Sequence, residues 1–209
     1  RINSTGVLLY RDLTTVNRGL DELDRGQYDE VEEVFCPYGA AAVFRRKLLD
    51  EVGGLADRYY LMHEEDDLAW RARFVGWRCT YVPSAIVFHH RSASLGVHSP
   101  TKLYYGERNR IWNLVKYLPW WQIPLATAFT ILRYAKMLWL QLTGGAGTDA
   151  GRGNGSALSA TTGLMRAWID GIAGIPQALR QRRAIWQAKQ VPTGEINRWM
   201  QTFGFASSG

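Results

Sequence analysis

Cysteine is scarce in this sequence of 209 residues: Cys36 and Cys79 stand far apart, and neither has a CxxC partner. A disulfide scaffold, a zinc site and a redox motif are therefore not expected, whereas a reducing, cytoplasmic compartment is. A signal peptide is not expected either, since no apolar stretch of that kind follows Arg1. Because 46% of the residues are hydrophobic and 21% are charged, intrinsic disorder is excluded and a sizeable core is expected.

Acidic residues become rare in the second half of the chain. Residues 1–100 hold 15 acidic and 12 basic side chains, whereas residues 101–209 hold only 4 acidic and 13 basic ones. Seven of the nine tryptophans also follow position 100, and this bias is typical of a membrane interface, a sugar-binding site or both. Charge alone leaves two partners open for the basic half, namely nucleic acid and an anionic membrane.

The densest run of charge is acidic, at Glu64, Glu65, Asp66 and Asp67, directly before a helix-forming segment that Gly76 ends. Acids in the first turn complement the helix dipole, which is one explanation of the run. Four neighbouring carboxylates exceed that need, and their repulsion predicts at least one raised pKa unless a cation or a sugar hydroxyl offsets the crowding. The alternative explanation is therefore a metal site or a general base.

Two other segments contain residues that are typical of the border of a binding site. Residues 39–42, a glycine followed by three alanines, allow either close approach of a ligand or tight packing. Residues 78–88 are predicted to form a strand that ends at His89 and His90. Because neutral imidazole together with carboxylates suits Mn²⁺ or another divalent ion, a metal ligand is expected at this strand end.

Five segments follow one another along the first part of the chain: Gly39-Ala40-Ala41, Arg45-Arg46 with Val52-Gly53-Gly54, Glu64 to Arg71, Gly76-Trp77-Arg78, and Ala85 to His89. In this order and spacing they resemble the acceptor half of glycosyltransferase family 2, and within it the bacterial rhamnosyltransferase-like enzymes of the GT-A fold. Arg108-Asn109-Arg110, followed by Lys116 and Pro119, is also similar to these enzymes. The resemblance covers residues 1–118 and implies an α/β fold class, as the C-terminal part of a GT-A (Rossmann-like) domain.

The resemblance also implies roles for individual residues. The family carries a Glu-Asp pair that contacts the acceptor and includes the catalytic base; Glu64 and Glu65 occupy these two positions, and the choice of base stays open. Acceptor binding or structural support is implied for Asp67, Trp70 and Arg71, and a loop against the donor sugar for Gly39, Ala40 and Ala41. The implied metal ligand is His89, and candidate phosphate contacts are Arg108 and Arg110.

The activity implied by this resemblance is that of an inverting glycosyltransferase of the hexosyltransferase type that depends on Mn²⁺ or Mg²⁺. A carboxylate takes the proton of the acceptor hydroxyl, and a cation balances the charge of the departing nucleoside diphosphate. The implied donor is a nucleotide sugar such as dTDP-rhamnose, and the implied acceptor is a cell-envelope glycan or a lipid-linked sugar.

A nucleotide-binding half is not recognisable, since the sequence has no Asp-any-Asp motif and no Gly-rich phosphate loop after a strand. The sequence also starts at Arg1 without a methionine. We therefore expect a fragment of a longer or processed product that is inactive on its own.

Residues 119–142 are predicted to form an amphipathic helix that lies in a membrane interface. The stretch is long enough to span a bilayer, but Arg133 and Lys136 lie near its centre, where charges are costly. A buried helix of a larger core is the alternative. Residues 143–162 are rich in Gly, Ser, Ala and Thr and are predicted to be a flexible linker, and residues 163–209 are predicted to be a basic amphipathic helical region that suits anionic lipid.

Two functions from different classes stay open. The first is the acceptor-side half of a glycosyltransferase that is peripheral on the inner face of the plasma membrane. The second is a catalytically inactive peripheral membrane module that tethers or scaffolds an envelope enzyme. Nucleic-acid binding is not expected, because the basic residues of the second half alternate with Leu, Ile and Trp at helical spacing and no nucleic-acid fold is recognisable.

Overall fold

The computed structural model describes residues 1–91, 96, 99–143 and 157–205, which form a mixed α/β structure that is about 54% helical. Three short strands, two helices and a fourth strand follow one another in the first hundred residues, and the elements named after them in the described residues are helices. The elements are β1 Val7–Leu9, β2 Thr15–Asn17, β3 Glu32–Val34, α1 Arg46–Val52, α2 Glu64–Phe74, β4 Cys79–Tyr81, α3 Pro100–Tyr117, α4 Ile123–Leu142, α5 Ala157–Ala173, α6 Ile175–Ala188 and α7 Gly194–Thr202.

The four strands form two small antiparallel sheets. In one sheet Val7 of β1 lies opposite Asn17 of β2, and in the other β3 pairs with β4. The strand predicted over 78–88 is wrong beyond β4, because Pro83 has no N–H to donate and lies in a turn. After this turn the chain runs without strand structure to residue 90, and Phe88 is 97% exposed.

Aromatic side chains fill the main core, and they come from both ends of the chain. Trp70 on α2 is 1% exposed and stacks on Tyr117 of α3, with ring centroids 5.5 Å apart. Trp199 of α7 closes the same cluster, 6.0 Å from Trp70. Beside it, the backbone N–H of Leu9 in β1 donates to the carbonyl of Phe203 at 2.8 Å. The C-terminal residues therefore complete a core that the first hundred residues begin.

Helix α3 is the scaffold on which α5 and α6 pack. The indole N–H of Trp112 on α3 donates to the carbonyl of Gly171 on α5 at 3.0 Å. From α6, the buried guanidinium of Arg182 donates to the carbonyl of Val115 at 2.7 Å. In the region 163–209, predicted to be helical and basic, α5 and α6 cover α3, and Arg182 is turned into the protein.

The segment predicted as an interfacial helix, residues 119–142, forms a 3-10 turn at Trp120–Gln122 and then α4. In the part of the chain that the structure describes, no helix is both long and apolar enough to cross a membrane. The linker predicted at 143–162 is shorter than expected, because α5 already begins at Ala157. Residues 144–156 of that prediction lie outside the described residues.

Candidate active site

The acidic run lies at the N-terminus of α2, and the loop that leads into it has an unusual backbone. Tyr60, Met62 and His63 have φ angles of 62°, 65° and 67°, in the left-handed region that side chains with a Cβ rarely adopt. His63 is also the N-cap residue of α2. Because such residues cost free energy and cluster at functional sites, the loop marks this helix end as the candidate site.

Asn109 on α3 holds this loop in place. Its side-chain amide donates to the carbonyls of Tyr59, Leu61 and Met62 at 3.0, 2.8 and 2.7 Å. The side chain is fully buried, so no water competes for these bonds. Its neighbour Arg108 adds a donor to the Tyr59 carbonyl at 3.1 Å. One residue pair of α3 therefore fixes the backbone from which the acidic run begins.

Glu65 is a carboxyl group with a strongly raised pKa. Burial raises its pKa to about 7, with further contributions from the charges of Asp66 and Glu64. Its Oε1 accepts the backbone N–H of Gly39 at 3.2 Å, while its Oε2 has no partner. Burial also raises the pKa of Glu64, whose Oε2 is likewise unpartnered. Both residues are partly exposed as a whole, although the two unpartnered oxygens are themselves buried.

Asp66 turns to the opposite side and pairs with His63. The His63 Nδ1 lies 2.6 Å from Asp66 Oδ2, and both side chains are buried. Burial by itself lowers the pKa of His63, but the hydrogen bond and the charge of Asp66 outweigh it, so the pKa is raised. Thr15 on β2 donates a longer bond of 3.4 Å to the same carboxylate oxygen. This buried pair stabilises the start of α2, where the two glutamates lie.

Asp67 is a structural carboxylate. It is fully buried, forms an ion pair with Lys116, and accepts bonds from Tyr117 Oη at 2.5 Å and Arg71 Nε at 2.9 Å. Burial raises its pKa, but the charges of Lys116 and Arg71 outweigh burial and lower it. Arg71 also donates to the Gly54 carbonyl beyond α1 at 2.8 Å. Of the two roles predicted for Asp67, Trp70 and Arg71, the packing favours structural support.

The turn predicted to face the donor sugar lies directly beside Glu65. Gly39, Ala40 and Ala41 form an exposed 3-10 turn. A Cβ atom at Gly39 would lie 2.9 Å from Glu65 Oε1, so a larger residue at this position would displace the carboxylate. The structure thus brings together two predicted parts of the site that are 26 residues apart.

His89 lies on the far side of the same turn. Its ring is exposed and packs 5.7 Å from the ring of Tyr38, and its Nδ1 lies 2.7 Å from Asn3 Oδ1. Within the described residues, no group of three or more His, Cys, Asp or Glu side chains is placed to hold a metal ion. Binding of Mn²⁺ or Mg²⁺ with His89 as a ligand stays a prediction.

The two predicted phosphate contacts have different surroundings. Arg110 is 2% exposed; its guanidinium bonds Glu107 at 2.7 Å and the Asp12 carbonyl at 2.9 Å, so acidic neighbours already balance its charge. Arg108 instead lines a groove with Trp112 and Arg58, and its guanidinium lies 4.5 Å from the Trp112 ring. The structure does not bring either arginine into contact with Glu65.

Three residues of this site are missing from the sequence-based prediction of its roles: His63, Asp66 and Asn109. His63 stands directly before the acidic run, and Asn109 stands between the two arginines of the matched segment, so both positions carried a signal. Together with the two glutamates they give a half-buried carboxyl site beside a loop that Asn109 holds, in which the pKa of Glu65 is raised to about 7. Such a group is suited to general-base catalysis.

Comparison with known proteins gives a partial match. No family model matches the chain, and no solved structure matches it. Two curated relatives are each described as an N-acetylglucosaminyl-diphospho-decaprenol L-rhamnosyltransferase, from Mycobacterium tuberculosis strains CDC 1551 / Oshkosh and ATCC 25618 / H37Rv. Each is 34% identical over 88 residues, which cover 42% of this chain and only 29% of the relative. This partial match supports a glycosyltransferase-like relationship.

Proposed function

We propose that this chain carries the acceptor-side, base-bearing part of a glycosyltransferase. The observation that carries the proposal is the half-buried Glu65 side chain, with a pKa of about 7 and a buried, unpartnered oxygen, beside the Gly39 turn. The activity for which the two relatives are named points to a sugar on a lipid diphosphate as the acceptor. We therefore propose a lipid-linked or glycan acceptor of the cell envelope and a nucleotide-sugar donor such as dTDP-rhamnose.

In the proposed reaction Glu65 takes the proton of the acceptor hydroxyl as that oxygen attacks the anomeric carbon of the donor sugar. The new C–O bond forms on the face opposite the nucleoside diphosphate, which leaves with the electron pair of the broken bond, so the configuration inverts. A base with a pKa near the working pH is both ionised often enough and basic enough for this transfer. Family 2 membership, the GT-A fold and the inverting course belong to this proposal.

This sequence has no recognisable motif for binding the nucleotide of the donor. We propose that the nucleotide is held by polypeptide outside these residues, with the Gly39 turn closing over the sugar. Because a Cβ atom at Gly39 would crowd Glu65, the position of the Glu65 carboxyl group depends on the backbone of this turn. A donor site outside this chain and a base within it agree with the match, which covers 29% of the length of each relative.

The test is sugar transfer by the whole protein that contains this chain, from a nucleotide sugar to N-acetylglucosaminyl-diphospho-polyprenol. Glu65→Gln keeps the size of the side chain and the acceptor for the Gly39 N–H, and it should lower kcat by roughly 10²- to 10⁴-fold. The matched control is Glu30→Gln, at an exposed glutamate, which should keep the wild-type rate.

Glu64→Gln completes the series, because Glu64 also has a raised pKa and a free oxygen. A loss confined to Glu64→Gln would assign the base to Glu64 and contradict the role given to Glu65. Wild-type rates in both variants would contradict a catalytic role for the acidic run. A wild-type protein that transfers no sugar to any lipid-linked acceptor would favour the inactive membrane module instead.

A further inference from the structure

Helix α4 is attached to the protein by its polar side. Arg133 binds Asp12 Oδ2 through Nε at 3.0 Å and Glu107 Oε1 through Nη2 at 2.9 Å. Thr130, one turn earlier, accepts a bond from Arg110 at 3.0 Å. A surface helix normally turns its apolar side to the protein and its charges to water. In α4 the charge that looked unfavourable for a membrane is instead the anchor to the rest of the molecule.

The apolar side of α4 faces outward as a consequence. Ile131 and Leu132 are each 63% exposed, Leu138 is 57% exposed and Trp139 is 62% exposed. Exposed apolar residues scattered singly are normal on soluble proteins, but a continuous stripe marks a binding surface. These positions recur at helical spacing over two turns, so they form such a stripe.

Helix α5 repeats the same feature. Met165, Ile169 and Ile172 are 58%, 64% and 62% exposed, and they recur at the spacing of one helix face. The two helices are neighbours, since the ring of Tyr134 on α4 lies 5.4 Å from the ring of Trp168 on α5. We call the exposed apolar residues of α4 and α5 the apolar face.

The charges around the apolar face indicate its partner. Helix α4 contains no acidic residue, and the single acid of α5, Asp170, is bound by Tyr104 Oη at 2.6 Å. Lys136 on α4 and Arg183 on α6 are exposed. An anionic surface is therefore attracted, and a hydrophobic protein surface gains nothing from these charges.

Two tryptophans stand at the start of α4 and support the same partner. Trp120 and Trp121 are 57% and 68% exposed, and they line a groove of about 540 Å³ together with the exposed Arg183. Tryptophan beside arginine is typical of the level of lipid headgroups, where the ring is half immersed and the cation meets phosphate.

We propose that the apolar face docks on an anionic lipid bilayer, with α4 and α5 lying in the plane of the headgroups. The helices enter the bilayer surface and do not cross it, in agreement with the absence of a spanning helix from the described residues. Docking would bring the acidic site to a lipid-linked acceptor, a consequence that rests on the proposed function, whereas the docking itself does not.

The experiment is co-sedimentation of the protein with vesicles of phosphatidylcholine and phosphatidylglycerol. The double variant Leu132→Glu/Ile169→Glu removes one apolar side chain from each helix, and it should weaken binding by about a hundredfold. Both positions are well exposed, so thermal unfolding should stay close to that of the wild type. The matched control is Val31→Glu/Val43→Glu, since these valines are 65% and 98% exposed but lie outside the apolar face.

Three results would overturn the proposal: equal sedimentation of the apolar-face variant and the wild type, an equal loss in the control variant, or a wild type that does not bind. A variant that only changes an oligomer to a monomer, with no vesicle binding by either form, would assign the face to a second copy of the chain. Vesicles of pure phosphatidylcholine should bind more weakly, and equal binding would contradict the choice of anionic lipid. Because no sugar is transferred, failure here leaves the proposed reaction untouched.

Discussion

Glu65→Gln should stabilise the protein at high pH and not at low pH. The folded protein raises the pKa of Glu65 from 4.5 to about 7, so folding favours the neutral form. The resulting contribution to stability is complete below pH 4.5 and is lost as the pH rises through 7. At pH 8 the ionised carboxylate costs about 3 kcal/mol relative to a side chain that never ionises. Glutamine avoids this cost and can still accept the Gly39 N–H.

The assay is urea unfolding of wild type and variant at pH 4, 6 and 8. We expect equal stability at pH 4, and at pH 8 a variant more stable by up to about 3 kcal/mol. The exposed Glu30→Gln variant should show no such trend. A Glu65→Gln variant with the same difference from wild type at pH 4 and pH 8 would refute the reasoning, because a raised pKa must appear as a pH-dependent free energy.

Two further substitutions test the frame around the site by urea unfolding. Asn109→Ala leaves the carbonyls of Leu61 and Met62 without this donor and should lower the free energy of unfolding by about 2–4 kcal/mol. A loss no larger than that of the exposed control Asn197→Ala would contradict the role of Asn109 in holding the loop. Lys116→Met leaves the buried Asp67 carboxylate with one cation fewer and should cost about 3–5 kcal/mol. A cost below about 1 kcal/mol would show that Arg71 and Tyr117 alone satisfy this carboxylate.

The position of the acidic site was predictable, and the resemblance set Glu64 and Glu65 apart from Asp67, but local composition gives no reason for that division. The run of four acids predicted a helix start, and α2 begins at Glu64. In the sequence the four are equivalent neighbours. The fold separates them, because Asp67 meets Lys116 from 49 residues away while Glu65 meets Gly39 from 26 residues away. Partners at such separations leave no trace in local composition, so only the packing shows which carboxyl groups can exchange protons.

Tryptophan content shows the same limit. Its excess after position 100 predicted a membrane interface or a sugar site, yet Trp112 and Trp199 are 4% and 7% exposed and belong to the core. Trp120 and Trp139, in contrast, are 57% and 62% exposed. Amino-acid composition does not distinguish the buried tryptophans from the exposed ones. Helical spacing predicted an amphipathic helix here, but it did not show that Arg133 would anchor the polar side of α4 to Asp12 and leave the apolar side outward.

The most direct test of a base at Glu65 is the pH dependence of kcat/KM for sugar transfer by the whole protein. A base must be ionised to accept the acceptor proton, so the rate should rise with pH and level off above an apparent pKa of about 7. Glu65→Gln should remove this limb together with most of the rate. A wild-type profile that stays flat through this pH range, or a Glu65→Gln variant that keeps the limb, would contradict the assignment of Glu65 as the proton acceptor.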